Sequence, residues 1–74
     1  MSILPILTAR EMIAALSRAG FVVVRQKGSH VWLKNPRTGN VTSVPMHTGE
    51  MTKGLTTGII KQAGFTVKQF LKVL

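Results

Sequence analysis

The spacing of apolar residues changes repeatedly along this chain, and each change marks a new element. From Ala9 to Leu16 the apolar positions recur at helical spacing, with Ala9, Met12, Ile13 and Leu16 on one side and Arg10, Glu11, Ser17 and Arg18 on the other. Thr8 stands three residues ahead of Glu11 as a capping-box signature, and Leu7 with Met12 is placed as a hydrophobic staple. A helix is therefore predicted from about Ala9, with Gly20 as its stop.

From Phe21 the residues become β-branched, and Phe21-Val22-Val23-Val24 predicts a first strand. Lys27-Gly28 is short enough to turn the chain into a second strand over about Ser29 to Lys34. Asn35-Pro36-Arg37-Thr38-Gly39-Asn40 reads as a hairpin loop that delivers a third strand from Val41 to Met46. In strand two, Val31 and Leu33 share one face, while His30, Trp32 and Lys34 share the other. Strand one is less orderly. Val22 and Val24 oppose Phe21 and Val23, so both of its faces call for cover, by the chain's end or by another protein.

After the polar, glycine-containing loop from His47 to Gly54, the positions Leu55, Ile59, Ile60 and Ala63 mark a second helix ended by Gly64. Gly58 inside it costs about 1 kcal/mol relative to alanine, so this helix relies on packing. Thr66 and Gln69 repeat the capping-box signature, Phe65 and Phe70 are placed as a second staple, and Val67, Phe70, Leu71 and Leu74 form the stripe of a short third helix. Residues 1–74 thus read as one α+β domain. Its order is α-β-β-β-α, with a three-stranded antiparallel sheet, helices on one face and a short extra C-terminal helix.

Composition narrows the chemistry. A domain of 74 residues buries only about 60% of its unfolded surface, and with no cysteine it has neither disulfides nor thiolate metal sites to reinforce it. A partner chain, or self-association within such a complex, is the expected remedy. The opening Met1 to Leu7 lacks a basic leader and no apolar run is long enough to cross a bilayer, so a cytoplasmic location away from membranes is expected. Ten Lys and Arg against Glu11 and Glu50 give a net charge of +8, a field that concentrates polyanions, of which nucleic acid is the commonest. Two carboxylates are too few for a two-metal nuclease, and two histidines alone do not complete a zinc site. Any phosphodiester cleavage is expected to run without metal or other cofactor.

The α-β-β-β-α order is the plan of double-stranded-RNA-binding domains, and the residues go further. Leu4-Pro5-Ile6-Leu7-Thr8-Ala9-Arg10-Glu11, Ala19-Gly20-Phe21, Lys27-Gly28-Ser29-His30, Val44-Pro45-Met46-His47 and Lys61-Gln62-Ala63-Gly64-Phe65 together resemble the HicA family of toxin ribonucleases. The resemblance runs nearly end to end. It implies a small protein with a fold like that of double-stranded-RNA-binding domains, which cleaves messenger RNA without the ribosome and is held inactive by a HicB-type antitoxin covering His30. In that family the histidine of the Gly-Ser-His motif is catalytic, which maps onto His30. The chain departs from the family where Gly54 is followed by Leu55-Thr56 rather than Thr-Leu.

RNA carries its own nucleophile, so a metal-free enzyme needs to remove the 2′-hydroxyl proton, align the oxygen with phosphorus and stabilise the charge that builds on the phosphoryl oxygens. Histidine suits the proton transfer at neutral pH. Arg25 and Lys27 are candidates to neutralise the phosphate, and their charge would favour the neutral imidazole. Gly28 serves the turn, and Ser29 either bonds a phosphate or shapes that turn. Trp32 either stacks on an unpaired base or is buried under the last helix or a partner. Lys34, Arg37, Lys53 and Lys61 are candidates to follow the RNA backbone. His47 is a possible second acid or base, or else a loop residue that meets the antitoxin. Two other readings stand beside the ribonuclease: a non-catalytic double-stranded-RNA-binding module, and a small basic subunit that only completes a protein complex.

Overall fold

A computed structural model of the chain describes residues 4–46 and 49–74. Its elements are α1 (Ala9–Arg18), β1 (Val22–Lys27), β2 (His30–Lys34), β3 (Val41–Pro45), α2 (Lys53–Gln62) and α3 (Val67–Leu71). The strands form one antiparallel sheet in the order β1-β2-β3, which is the predicted α-β-β-β-α architecture.

Local signals set the helix ends. At α1 the Thr8 hydroxyl accepts from the Glu11 N–H at 3.2 Å, and the Glu11 carboxylate accepts from the Thr8 N–H at 2.9 Å. The Thr8 backbone N–H, and after it the Thr8 side chain, hold the Glu11 carboxyl below its ordinary value. At α3, Thr66 and the neutral Gln69 make the same pair of bonds at 3.1 and 2.9 Å. The start of α2 lies two residues ahead of the first expected apolar position, because Thr52 caps the Leu55 N–H at 3.2 Å.

Two helices end alike. Gly20 follows α1 with φ +100° and Gly64 follows α2 with φ +90°, a left-handed conformation that closes each helix in a Schellman motif. In the first, Phe21 N–H bonds Leu16 C=O at 2.9 Å; in the second, Phe65 N–H bonds Ile60 C=O at 3.1 Å. The residues just past the two glycines then meet, with the Phe21 and Phe65 rings edge to face at 6.0 Å. Asn40, in the β2–β3 loop, donates from its side chain to Ala63 C=O at 3.1 Å and ties that loop to the end of α2.

The core lies between the helices and one face of the sheet. Met12, Ala15 and Leu16 of α1, Val31 and Leu33 of β2, Val44 of β3, Ile59 and Ile60 of α2, and Phe70 of α3 are all buried in it. Leu7 and Met12 both belong to this cluster, as the staple requires, while Phe65 packs against the cluster that contains Phe70. Thr42 and Thr56 are the fully buried polar side chains of the described residues, and each hydroxyl is bonded: Thr42 to Gln62 Oε1 at 3.0 Å, Thr56 to Thr52 C=O at 2.9 Å.

β1 is different. All six of its residues are exposed, and Val22, Val23 and Val24 keep 50%, 52% and 54% of their surface open. The cover expected from the chain's end is not there, because α1 and α2 pack on β3 and α3 packs on α2. Among the described residues no helix is long and apolar enough to cross a membrane.

Candidate functional site

The turn from β1 to β2 places the histidine. Lys27 and His30 close the ladder, so the two-residue loop is Gly28-Ser29, one residue later than the sequence pattern suggests. Gly28 has φ +56° while Ser29 has none of the left-handed character, the pattern of a tight hairpin turn with glycine first. The Met46 N–H bonds the Ser29 carbonyl, so the end of β3 holds the turn in place. His30 therefore opens β2 at a braced corner of the sheet, with its imidazole exposed.

A bulge in β1 decides which side chains join it. Val22 pairs with Lys34 and Val23 with Leu33, but the next pair is Arg25 with Trp32, and Val24 is the extra residue. Under plain alternation Arg25 and Lys27 would follow Val23 onto the core-facing side. The bulge reverses the phase: Arg25 comes opposite Trp32 and Lys27 opposite His30, on the face away from the core. The Arg25 guanidinium lies 5.8 Å from the centroid of the Trp32 ring, and the Trp32 and His30 rings are 5.7 Å apart at 37°. Cation, indole and imidazole form one row that crosses from β1 to β2 and then runs along β2. Trp32 is half-buried within this row, on the face of the sheet opposite buried Val31 and Leu33.

On its other side His30 borders an open groove of about 400 Å³ between the sheet and α2. Ser43 and Pro45 of β3 line one wall, and Gly54, Leu55, Gly58 and Gln62 of α2 line the other. Pro45 is the cross-strand partner of His30, and Ser43 that of Trp32. The bond from Thr42 to Gln62 fixes α2 against β3 at this edge.

The structure brings Arg25, Lys27, Gly28, Ser29, His30 and Trp32 together. Lys34 is on the same face but four residues along β2, about 13 Å away. Arg37 is exposed in the loop at the opposite end of the hairpin. Lys53 and Lys61 are exposed on α2, about two turns apart. His47 lies outside the described residues. Sequence reasoning missed Ser43, Pro45, Gly54, Gly58 and Gln62 as neighbours of the histidine, although the helical cost of Gly58 was a signal. Neither carboxylate side chain joins the row: Glu11 caps α1, and Glu50 lies where the backbone bridges Thr8. Among the described residues, no three of His, Cys, Asp and Glu cluster as metal ligands would.

No curated protein matches the chain significantly. A family model described as the HicA toxin of bacterial toxin–antitoxin systems matches residues 9–65, from the first residue of α1 to the phenylalanine that meets Phe21. That span holds the whole sheet, the bulge, the row and the groove, and it covers most of the 74 residues. The chain belongs to the HicA toxin family, and it is a toxin of the toxin–antitoxin kind.

Proposed function

We propose that the protein is an endoribonuclease that cleaves messenger RNA with His30 as its proton-transfer residue and without a metal ion. The observation that carries this reading is the setting of His30: an exposed imidazole at a braced turn, with a stacked Trp32–Arg25 platform on one side and an open groove on the other. RNA laid along this corner presents a base to the indole, a stacking contact worth about 1–3 kcal/mol. Its phosphate meets the cations of Arg25 and Lys27. His30 then takes the proton from the 2′-hydroxyl as O2′ attacks phosphorus, and the bond to O5′ breaks. The 5′ oxygen leaves with a proton from His47 or from water, giving a 2′,3′-cyclic phosphate and a 5′-hydroxyl end.

The same face is where a HicB-type antitoxin acts in this reading. Acidic residues answer the cations beside His30, and apolar residues answer Val22 on that face and reach Val23 and Val24 around the open edge of β1, so one partner covers the imidazole and supplies the cover this strand lacks.

The test compares the parent with His30→Ala on an end-labelled transcript in the presence of chelator. Cleavage by the parent is expected to survive chelation, and the substitution to slow it by about a hundred- to ten-thousand-fold while RNA binding and the melting midpoint hold. Equal cleavage by His30→Ala, 3′-hydroxyl product ends, or a requirement for magnesium would each overturn the mechanism. Salt-sensitive binding of duplex RNA that stays intact would instead identify a non-catalytic binding module of the same fold.

A further inference from the structure

We propose that the groove between β3 and α2 seats the nucleoside on one side of the cleaved phosphate, and that Gly54 and Gly58 are there to keep it open. This rests on the ribonuclease reading of His30 and adds where the substrate lies. His30 belongs to both surfaces: its ring is 5.7 Å from Trp32, and it also lines the groove. A strand whose phosphate sits at the imidazole therefore sends one base over the Trp32–Arg25 platform and its neighbour toward α2.

The groove is built for a flat, polar-edged group. Its volume of about 400 Å³ falls within the range of about 300–1,000 Å³ common to small-ligand sites. Pro45, Leu55 and Ile59 offer apolar contact, and Ser43 and Gln62 offer hydrogen bonds. The Gln62 carboxamide is held by the buried Thr42 hydroxyl, which donates to Oε1 at 3.0 Å. That bond orients the carboxamide and leaves its amino group to donate to a ring nitrogen or a carbonyl on a base edge.

Nothing in the backbone asks for glycine at either position of α2. Gly54 and Gly58 are absent from the left-handed residues, and a Cβ built on each meets no atom within 4 Å. Gly20 and Gly64, by contrast, are fixed by positive φ. Two glycines that weaken their own helix, both facing the same groove, fit a stability given up to leave room for substrate.

The experiment uses a short oligonucleotide in which fluorine replaces every 2′-hydroxyl, so that binding is read without cleavage. On titration the amide resonances of Gly54 and Gly58 are expected to shift in the parent and saturate. Gly58→Leu, which fills the groove, should weaken binding tenfold or more. Gly58→Ala should weaken it by a smaller factor while raising the melting midpoint by about 4–8 °C. Parent-like binding by Gly58→Leu, or groove amides that stay still, would overturn the assignment. The two ideas fail separately: absence of cleavage by the parent removes the reaction, whereas unaltered binding by Gly58→Leu removes the groove.

Discussion

The guanidinium of Arg25 lies 5.8 Å from the Trp32 ring centroid because one extra residue, Val24, interrupts the ladder between them and the start of β1. That residue turns a strand that would carry its cations on the face opposite His30 into one that aligns them with it. Deleting Val24 removes the bulge and leaves Val23 opposite Leu33 and Arg25 opposite Trp32. The shortened chain is therefore expected to fold, with cross-strand nuclear Overhauser contacts between Arg25 and Trp32 intact and a melting midpoint within about 5 °C of the parent. Loss of those contacts in a folded protein would disprove the register.

Trp32 is the single tryptophan of the chain, so its fluorescence reports on this face alone. Binding of single-stranded RNA is expected to quench it, and Trp32→Ala to weaken that binding by about 1–3 kcal/mol. Arg25→Ala should act through the phosphate instead, lowering the salt slope of log affinity by about 0.7. A titration series between low and moderate salt separates the two effects.

The capping boxes of α1 and α3 are the same device with different chemistry, Glu11 in one and Gln69 in the other. The Glu11 carboxyl is held below its ordinary value in the folded chain, so its contribution to stability is present above the unfolded carboxylate range and is lost as pH falls through the folded value. Glu11→Gln keeps an acceptor for the Thr8 N–H. It is expected to leave a cooperative fold whose melting midpoint falls less steeply between about pH 5 and pH 3 than that of the parent.

Gly64 and Gly58 predict opposite responses to the same substitution. A Cβ at Gly64 would run into the Asn40 side chain, at a position whose φ of +90° already opposes it. Gly64→Ala is expected to cost about 2 kcal/mol or more, from left-handed strain and from disturbing the bond to Ala63 C=O, and to lower the melting midpoint by roughly 10 °C. Thermal denaturation of both alanine variants, one rising and one falling, checks the packing of α2.

What the sequence made legible was whatever rests on local chemistry. The boxes at Thr8 and Thr66, the stops at Gly20 and Gly64 and the alternation from His30 to Lys34 placed most of the elements to within a residue or two. The start of α2 was obscured because Leu55 stands where a capping box would need Glu or Gln, and Thr52 caps alone. The bulge left no trace either, since Val22, Val23 and Val24 are chemically uniform and carry no alternation to break. The groove depends on how α2 lies against β3 through Thr42 and Gln62, residues 20 apart, and no short-range pattern encodes that.

The bare outer edge of β1 sets how the isolated toxin behaves as a colloid. Half-open valines on a strand paired along one side only invite a second copy, and a net charge of +8 on each molecule opposes the approach. That repulsion reaches about 10 Å at 0.1 M salt and about 3 Å at 1 M. The purified chain therefore keeps best in dilute buffer, and brine meant to strip off nucleic acid brings copies together through their valines.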